Sequence, residues 1–221
     1  MDRRNGEHVM IEIAPSVLAA DPLHVHRDVS RLVDAGARIL HLDIMDGHFV
    51  PNLSFGPQMV SALRRDFPEM TLDVHLMISN PGSYLQVFAD AGADEITLHG
   101  EVKGDIPLML QTIRRLGKKA GLSLKPATQV AEMHPFLPAC DLFLIMTVEP
   151  GFGGQKLMPE LLDKLGELRR AGFEGTLSVD GGIGQDNCRQ VRQKGATRLV
   201  MGTAAFLSEN PRALFEGCAA L

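Results

Sequence analysis

The 221-residue sequence predicts one α/β domain folded as a (β/α)8 TIM barrel, and three observations carry that prediction. Eight short apolar runs alternate with helix-period segments, recurring roughly every 25 residues, the rhythm of parallel βαβ units. The tripeptides Ala35-Gly36-Ala37, Ala91-Gly92-Ala93 and Lys194-Gly195-Ala196 each close a helical segment just before a strand, where glycine suits a left-handed cap. No low-complexity linker divides the chain, so residues 10–221 read as a single domain after a short polar extension, 1–9. A doubly wound open sheet is the alternative arrangement of the same rhythm.

The strands are expected in order at 10–15 (MIEIAP), 38–45 (RILHLDIM), 71–78 (TLDVHLMI), 94–99 (DEITLH), 119–124 (KAGLSL), 141–148 (DLFLIMTV), 175–180 (GTLSVD) and 197–202 (TRLVMG). Helical segments are expected at 24–35, 57–66, 82–91, 107–116, 159–171 and 185–194, with a weaker one at 129–137.

Composition excludes several functions. A net charge of −5 with no basic run argues against nucleic acid or a membrane surface as partner. No apolar run reaches the ~18 residues of a membrane span. The N-terminus MDRRNGEHV lacks the apolar core of a secretory signal. Cys140, Cys188 and Cys218 are odd in number and widely spaced, so they read as reduced thiols of a cytoplasmic protein.

Strand parity gives the first functional clue. In strand two, Leu40, Leu42 and Ile44 alternate with Ile39, His41, Asp43 and Met45. In strand three, Leu72, Val74 and Leu76 oppose Asp73, His75 and Met77. In strand seven, Leu177 and Val179 oppose Ser178 and Asp180; in strand one, Ile11 and Ile13 oppose Glu12, Ala14 and Ser16. In a barrel the apolar sets pack under the helices and the polar sets face the axis, near the strand ends that carry barrel active sites. His41, Asp43, His75 and Asp180 then converge as two imidazoles and two carboxylates. That set suits one divalent ion per chain: zinc, ferrous iron, manganese or cobalt.

Glycine-rich stretches follow three consecutive strands: EPGFGGQ (149–155), DGGIG (180–184) and GTAAF (202–206). Backbone N–H groups in such turns bind phosphate, and the loops after strands seven and eight are its usual cradle in this barrel. A metal and two carboxylates facing a small phosphorylated ligand fit proton abstraction beside a carbonyl.

The stretches APSVLAAD (14–21), HLDIMDGHFVPNLSFGP (41–57), DVHLMI (73–78), LHGE (98–101), MTVEPGFGGQKL (146–157), VDGGI (179–183) and MGTAAF (201–206) resemble the ribulose-phosphate 3-epimerase family, in family order over nearly the whole chain. The resemblance implies the ribulose-phosphate binding type of barrel and interconversion of D-ribulose 5-phosphate and D-xylulose 5-phosphate. It implies Asp43 as proton acceptor, Asp180 as donor, and His41, Asp43, His75 and Asp180 as the metal ligands. Ser16 and His75 would touch substrate. Gly151, Phe152, Gly153, Gly154, Gly181, Gly182, Gly202 and Thr203 would surround phosphate, and Met45, Met77 and Met146 would line the site. Relatives assemble as dimers or hexamers, so a homo-oligomer is implied. Asp46 and His48 lie past the strand end and are expected to brace the loop 47–52 rather than act in chemistry. Thr203 stands where many relatives carry serine, and Glu149 and Lys125 also depart from the pattern.

Three other activities are weighed. Epimerisation of D-allulose 6-phosphate needs the same chemistry and one more carbon of room. A decarboxylase or aldol-type enzyme of this barrel would carry D-x-K-x-x-D on strand three, but Asp73 through Ile78 contain no lysine. A non-catalytic sugar-phosphate sensor would be expected to have lost one of the two aspartates.

Overall fold

The structure is a computed structural model that describes residues 11–220; the predicted extension 1–9 and the first residue of the first predicted strand lie outside it. Eight parallel strands are present among the described residues: β1 (Glu12–Pro15), β2 (Ile39–Met45), β3 (Thr71–Met77), β4 (Glu95–His99), β5 (Lys119–Leu124), β6 (Leu142–Met146), β7 (Thr176–Asp180) and β8 (Arg198–Met201). They run in the order β1-β8-β7-β6-β5-β4-β3-β2. A single bridge, Ser16 to His41, joins the two end strands, so the sheet is a nearly closed barrel and not the open alternative.

Helices follow the strands: α1 (Val25–Asp34), α2 (Pro57–Asp66), α3 (Leu85–Asp90), α4 (Ile106–Arg115), α5 (Asp163–Arg170), α6 (Cys188–Gln193), α7 (Thr203–Phe206) and α8 (Pro211–Ala219). The last two are additional to the predicted segments. The weak segment is a 3-10 helix, Val130–Ala139, because Pro135 and Pro138 cannot serve an α-helical ladder. The three glycine caps form as the tripeptides imply. Gly36, Gly92 and Gly195 have φ of 111°, 108° and 107°. Behind them the N–H groups of Ala37, Ala93 and Ala196 reach back to the carbonyls of Leu32, Phe88 and Val191.

Parity divides the core as the alternation requires. Leu40, Leu42, Leu72, Val74, Ile96, Leu122, Leu177 and Leu199 are buried under the helices. Each such side chain contributes roughly 1.5–3 kcal/mol through burial. Inside the barrel, Ala14, Ile39, Leu142, Leu144, Met146 and Val200 form a separate apolar cluster. The apolar filling is thus drawn mainly from β6, with one residue each from β1, β2 and β8, while the interior sides of β2, β3 and β4 carry His41, Asp43, Asp73, His75, Glu95 and His99.

One expectation is corrected. Cys188 on α6 and Cys218 on α8 are joined by a disulfide, their Cα atoms 5.8 Å apart, and only Cys140 is free. Thirty residues separate the pair in sequence, and the packing of α8 beside α6 was not foreseen. Burial of Cys140 pushes its thiol up to about 12, so it is inert as a nucleophile.

Candidate active site

Register builds the cluster. His41 and Asp43 stand two apart on β2 and share its inward side. Parallel pairing with β3 sets Asp73 beside His41 and His75 beside Asp43. Asp180 ends β7, paired on one side with Met146 and on the other with Val200. One ligand atom from each of His41, Asp43, His75 and Asp180 lies within 4.8 Å of the others.

Hydrogen bonds fix which atoms remain free. Ser16 Oγ donates to Asp43 Oδ2 at 2.6 Å. His41 Nδ1 donates to Asp73 Oδ2 at 2.9 Å. His41 Nε2 is buried without a hydrogen-bond partner, although it lies 3.3 Å from Asp43 Oδ1. His75 Nδ1 lies 3.2 Å from the same Asp43 oxygen. The Asp180 carboxylate receives no hydrogen bond from the described residues, although its backbone carbonyl accepts from Thr147 Oγ1 at 3.0 Å. An orphaned imidazole nitrogen, a second imidazole and two carboxylates aimed at one point fit a divalent cation.

The electrostatics agree with that fit. Burial disfavours a charged His41, but Asp43 and Asp73 outweigh it and hold the ring well above the ordinary histidine value. Burial also opposes the Asp43 carboxylate, yet His41 and His75 carry it far below the usual range. Asp180 has weaker support, from His41 alone. Burial first, then the charge of Asp43, pushes it up to about 7. A cation at this point would relieve the repulsion between the two aspartates.

Above the cluster opens a cavity of about 570 Å³. Ser16, Asp43 and Asp180 line it together with Met45, Met77 and Met146. Its other wall is glycine-rich: Gly151, Phe152, Gly153 and Gly154 after β6, Gly181 and Gly182 after β7, and Gly202 with Thr203 after β8. Gly181 and Gly182 have φ of 124° and 67°, and a Cβ on Gly182 would lie 2.3 Å from the backbone nitrogen of Leu157. No other residue fits there. All the predicted site residues except His41 and His75 face this cavity; the two histidines are fully buried behind Asp43.

Asp46 holds the mouth and stays out of the cluster. Its Oδ1 accepts from the backbone of His48 and Phe49, and its Oδ2 from Ser79 N and Oγ. Asn52 ties the same loop to the carbonyl of Gly151 at 2.7 Å. His48 is exposed.

Three residues around the cluster were not singled out by sequence. Asp73 was visible only as a member of the inward set. His99 and Glu101 stand in the LHGE stretch, but nothing in the sequence ties them to His75. His99 Nε2 lies 2.9 Å from His75 Nε2, and His99 Nδ1 lies 3.0 Å from Glu101 Oε2. His99 is pushed down to about 4 by burial, so its ring is neutral.

Known proteins resemble the chain throughout. Residues 12–206 match the family model described as "Ribulose-phosphate 3 epimerase family". The ribulose-phosphate 3-epimerase of Synechocystis sp. is 45% identical over 206 residues, covering 90% of this chain and 89% of that protein. The Escherichia coli protein of the same name is 41% identical over 198 residues, covering 88% of each. Among solved structures, 3-hexulose-6-phosphate synthase from Salmonella typhimurium superposes with a TM-score of 0.72 at 16% identity, covering 95% of this chain and 97% of that one. KGPDC from Streptococcus mutans gives the same TM-score and identity, covering 95% of each chain. At such identities these structures speak for the fold.

Proposed function

The chain belongs to the ribulose-phosphate 3-epimerase family, and from that premise we propose that it interconverts D-ribulose 5-phosphate and D-xylulose 5-phosphate at C3. The observation that carries the reading is the convergence of Asp43 and Asp180, with His41 and His75, at the floor of a glycine-walled cavity.

Inversion at C3 takes a proton from one face and returns one to the other. Asp43 and Asp180 rise from β2 and β7, on different sides of the floor. Asp43 removes the proton and Asp180 supplies the second; the roles exchange in reverse. Ser16, donating to Asp43 Oδ2, orients that carboxylate and borders the substrate. Met45, Met77 and Met146 give the reacting carbon an apolar surround that keeps water away. The N–H groups of Gly151 to Gly154, Gly181, Gly182, Gly202 and Thr203 receive the phosphate. His41, Asp43, His75 and Asp180 would hold the divalent ion, zinc, ferrous iron, manganese or cobalt. When bound, it supplies positive charge beside the oxygen where negative charge develops. His75 lies behind Asp43, so its share in substrate binding would be exerted through the ion it would hold.

The test is turnover of ribulose 5-phosphate before and after chelation. Activity is expected to vanish on stripping and to return with one of the four ions. Unphosphorylated ribulose is expected to be a very poor substrate, because binding of the remote phosphate positions C3. Full activity in metal-free protein would refute the metal assignment. Comparable kcat/KM for the two sugars would refute the phosphate assignment, and faster turnover of D-allulose 6-phosphate the choice of a pentose.

A further inference from the structure

We propose that His99 and Glu101 are positioning residues that fix the tautomer of His75 and so keep its Nδ1 free for the metal; the inference rests on the metal reading above. His75 has two ring nitrogens. Its Nε2 is taken by His99 Nε2 at 2.9 Å, so only Nδ1, 3.2 Å from Asp43 Oδ1, faces the cluster. A nitrogen that ligates a metal presents its lone pair, which puts the His75 proton on Nε2. That proton needs an acceptor, so His99 must offer the lone pair of its own Nε2. The His99 proton then sits on Nδ1, where Glu101 Oε2 accepts it at 3.0 Å. One chain of protons runs from Glu101 to the ligand.

The orientation of Glu101 is itself determined. Its Oε1 accepts from the backbone N–H of Lys125 at 2.8 Å and from Thr128 Oγ1. Lys125 N–H can only donate, so that side of the Glu101 head must be an oxygen. In a Glu101→Gln variant the amide NH₂ is therefore forced towards His99 Nδ1. Two donors cannot face each other. His99 moves its proton to Nε2, His75 Nε2 must then accept, and the His75 proton goes to Nδ1, where it obstructs the metal. An isosteric exchange at a residue that touches neither substrate nor ion thus reaches the site through two rings. His41 needs no such relay, since Asp73 accepts from its Nδ1 directly.

The experiment uses the full chain and Zn²⁺ as probe. Zinc affinity is measured by chelator competition for the wild type, Glu101→Gln and His99→Phe. Imidazole ¹⁵N shifts report the tautomers of His75 and His99 in wild type and Glu101→Gln. The expected result is a 10- to 100-fold weaker Zn²⁺ affinity in each variant, on the order of other outer-shell losses. His75 should be Nε2-protonated and His99 Nδ1-protonated in zinc-loaded wild type, with both reversed in metal-free Glu101→Gln. Wild-type affinity in a folded Glu101→Gln protein would overturn the assignment. So would weakened affinity with unchanged tautomers, which would mean only a structural role. If the variants do not fold, the wild-type tautomers decide alone, and Nε2-protonated His99 overturns the proposal. A wild type that binds none of Zn²⁺, Fe²⁺, Mn²⁺ and Co²⁺ would refute the metal reading itself, and this inference with it.

Discussion

At the N-terminal end of the barrel interior, Arg198 is 1% exposed and its charge is fully answered. Its guanidinium donates to Glu95, reaches Glu12 Oε2 at 2.9 Å and lies 3.5 Å from Asp73; Lys119 adds a second cation to Glu95 at 3.0 Å. At the C-terminal end, similar side chains stand differently. His41 Nε2 has no hydrogen-bond partner, the Asp180 carboxylate accepts no hydrogen bond from the described residues, and a cavity opens above them. The lower set pairs its charges, with Asp73 Oδ1 as the one buried carboxylate oxygen there left without a hydrogen bond among the described residues, while the upper set leaves His41 Nε2 and the Asp180 carboxylate unpaired beside a cavity. Asp73 joins the two, accepting from His41 above and facing Arg198 below. Buried charge by itself therefore does not mark a site; incomplete pairing beside a cavity does.

The comparison is broken most directly from below. Arg198→Met takes the guanidinium from buried Asp73 and leaves Glu95 with Lys119 alone, and a loss of about 3–5 kcal/mol is expected in urea unfolding. A variant as stable as the wild type but without activity would place Arg198 in the functional site instead.

The upper set should respond in the opposite sense. Asp43→Asn and Asp180→Asn are each expected to slow epimerisation at least ~100-fold, about 2.7 kcal/mol. Metal content must be measured alongside. Because burial and Asp43 disfavour the Asp180 carboxylate, Asp180→Asn should not destabilise the chelated protein at pH 8. Near wild-type turnover in both metal-replete variants would defeat the two-base assignment. A destabilised Asp180→Asn would mean that the two ends are alike.

The smallest effect is expected at the rim. Asp46→Ala removes the acceptor for His48, Phe49 and Ser79, at a cost of about 1–2 kcal/mol, similar to the loss of a good cap. It should raise KM more than it lowers kcat, since the loop it braces meets Gly151 through Asn52. A kcat loss as deep as that of the Asp43 variant would show that Asp46 belongs to the chemistry.

Much of this was legible in the sequence. Strand parity follows from the two-residue period of extended backbone, so the inward set of His41, Asp43, His75 and Asp180 could be read before any fold was known. The glycine caps were equally local, because a left-handed φ excludes other residues within a single tripeptide.

What the sequence could not supply depends on distances between elements far apart in the chain. The 2.9 Å contact between His75 and His99 depends on how the inward side chains of neighbouring β3 and β4 turn towards each other. Helices α7 and α8 were not among the predicted segments; the four residues of α7 are too few to carry a helical period. The joining of Cys188 to Cys218 depends on where α8 packs, and spacing cannot report that. The sequence by itself determined the alternation of strand and helix, the inward residues and the glycine turns, since each follows from backbone geometry over a few residues. Only the tertiary structure decided which buried charges are paired and which nitrogen of each histidine is free, because hydrogen bonds and Coulomb interactions depend on separations of a few ångströms between strands that meet only in the closed barrel.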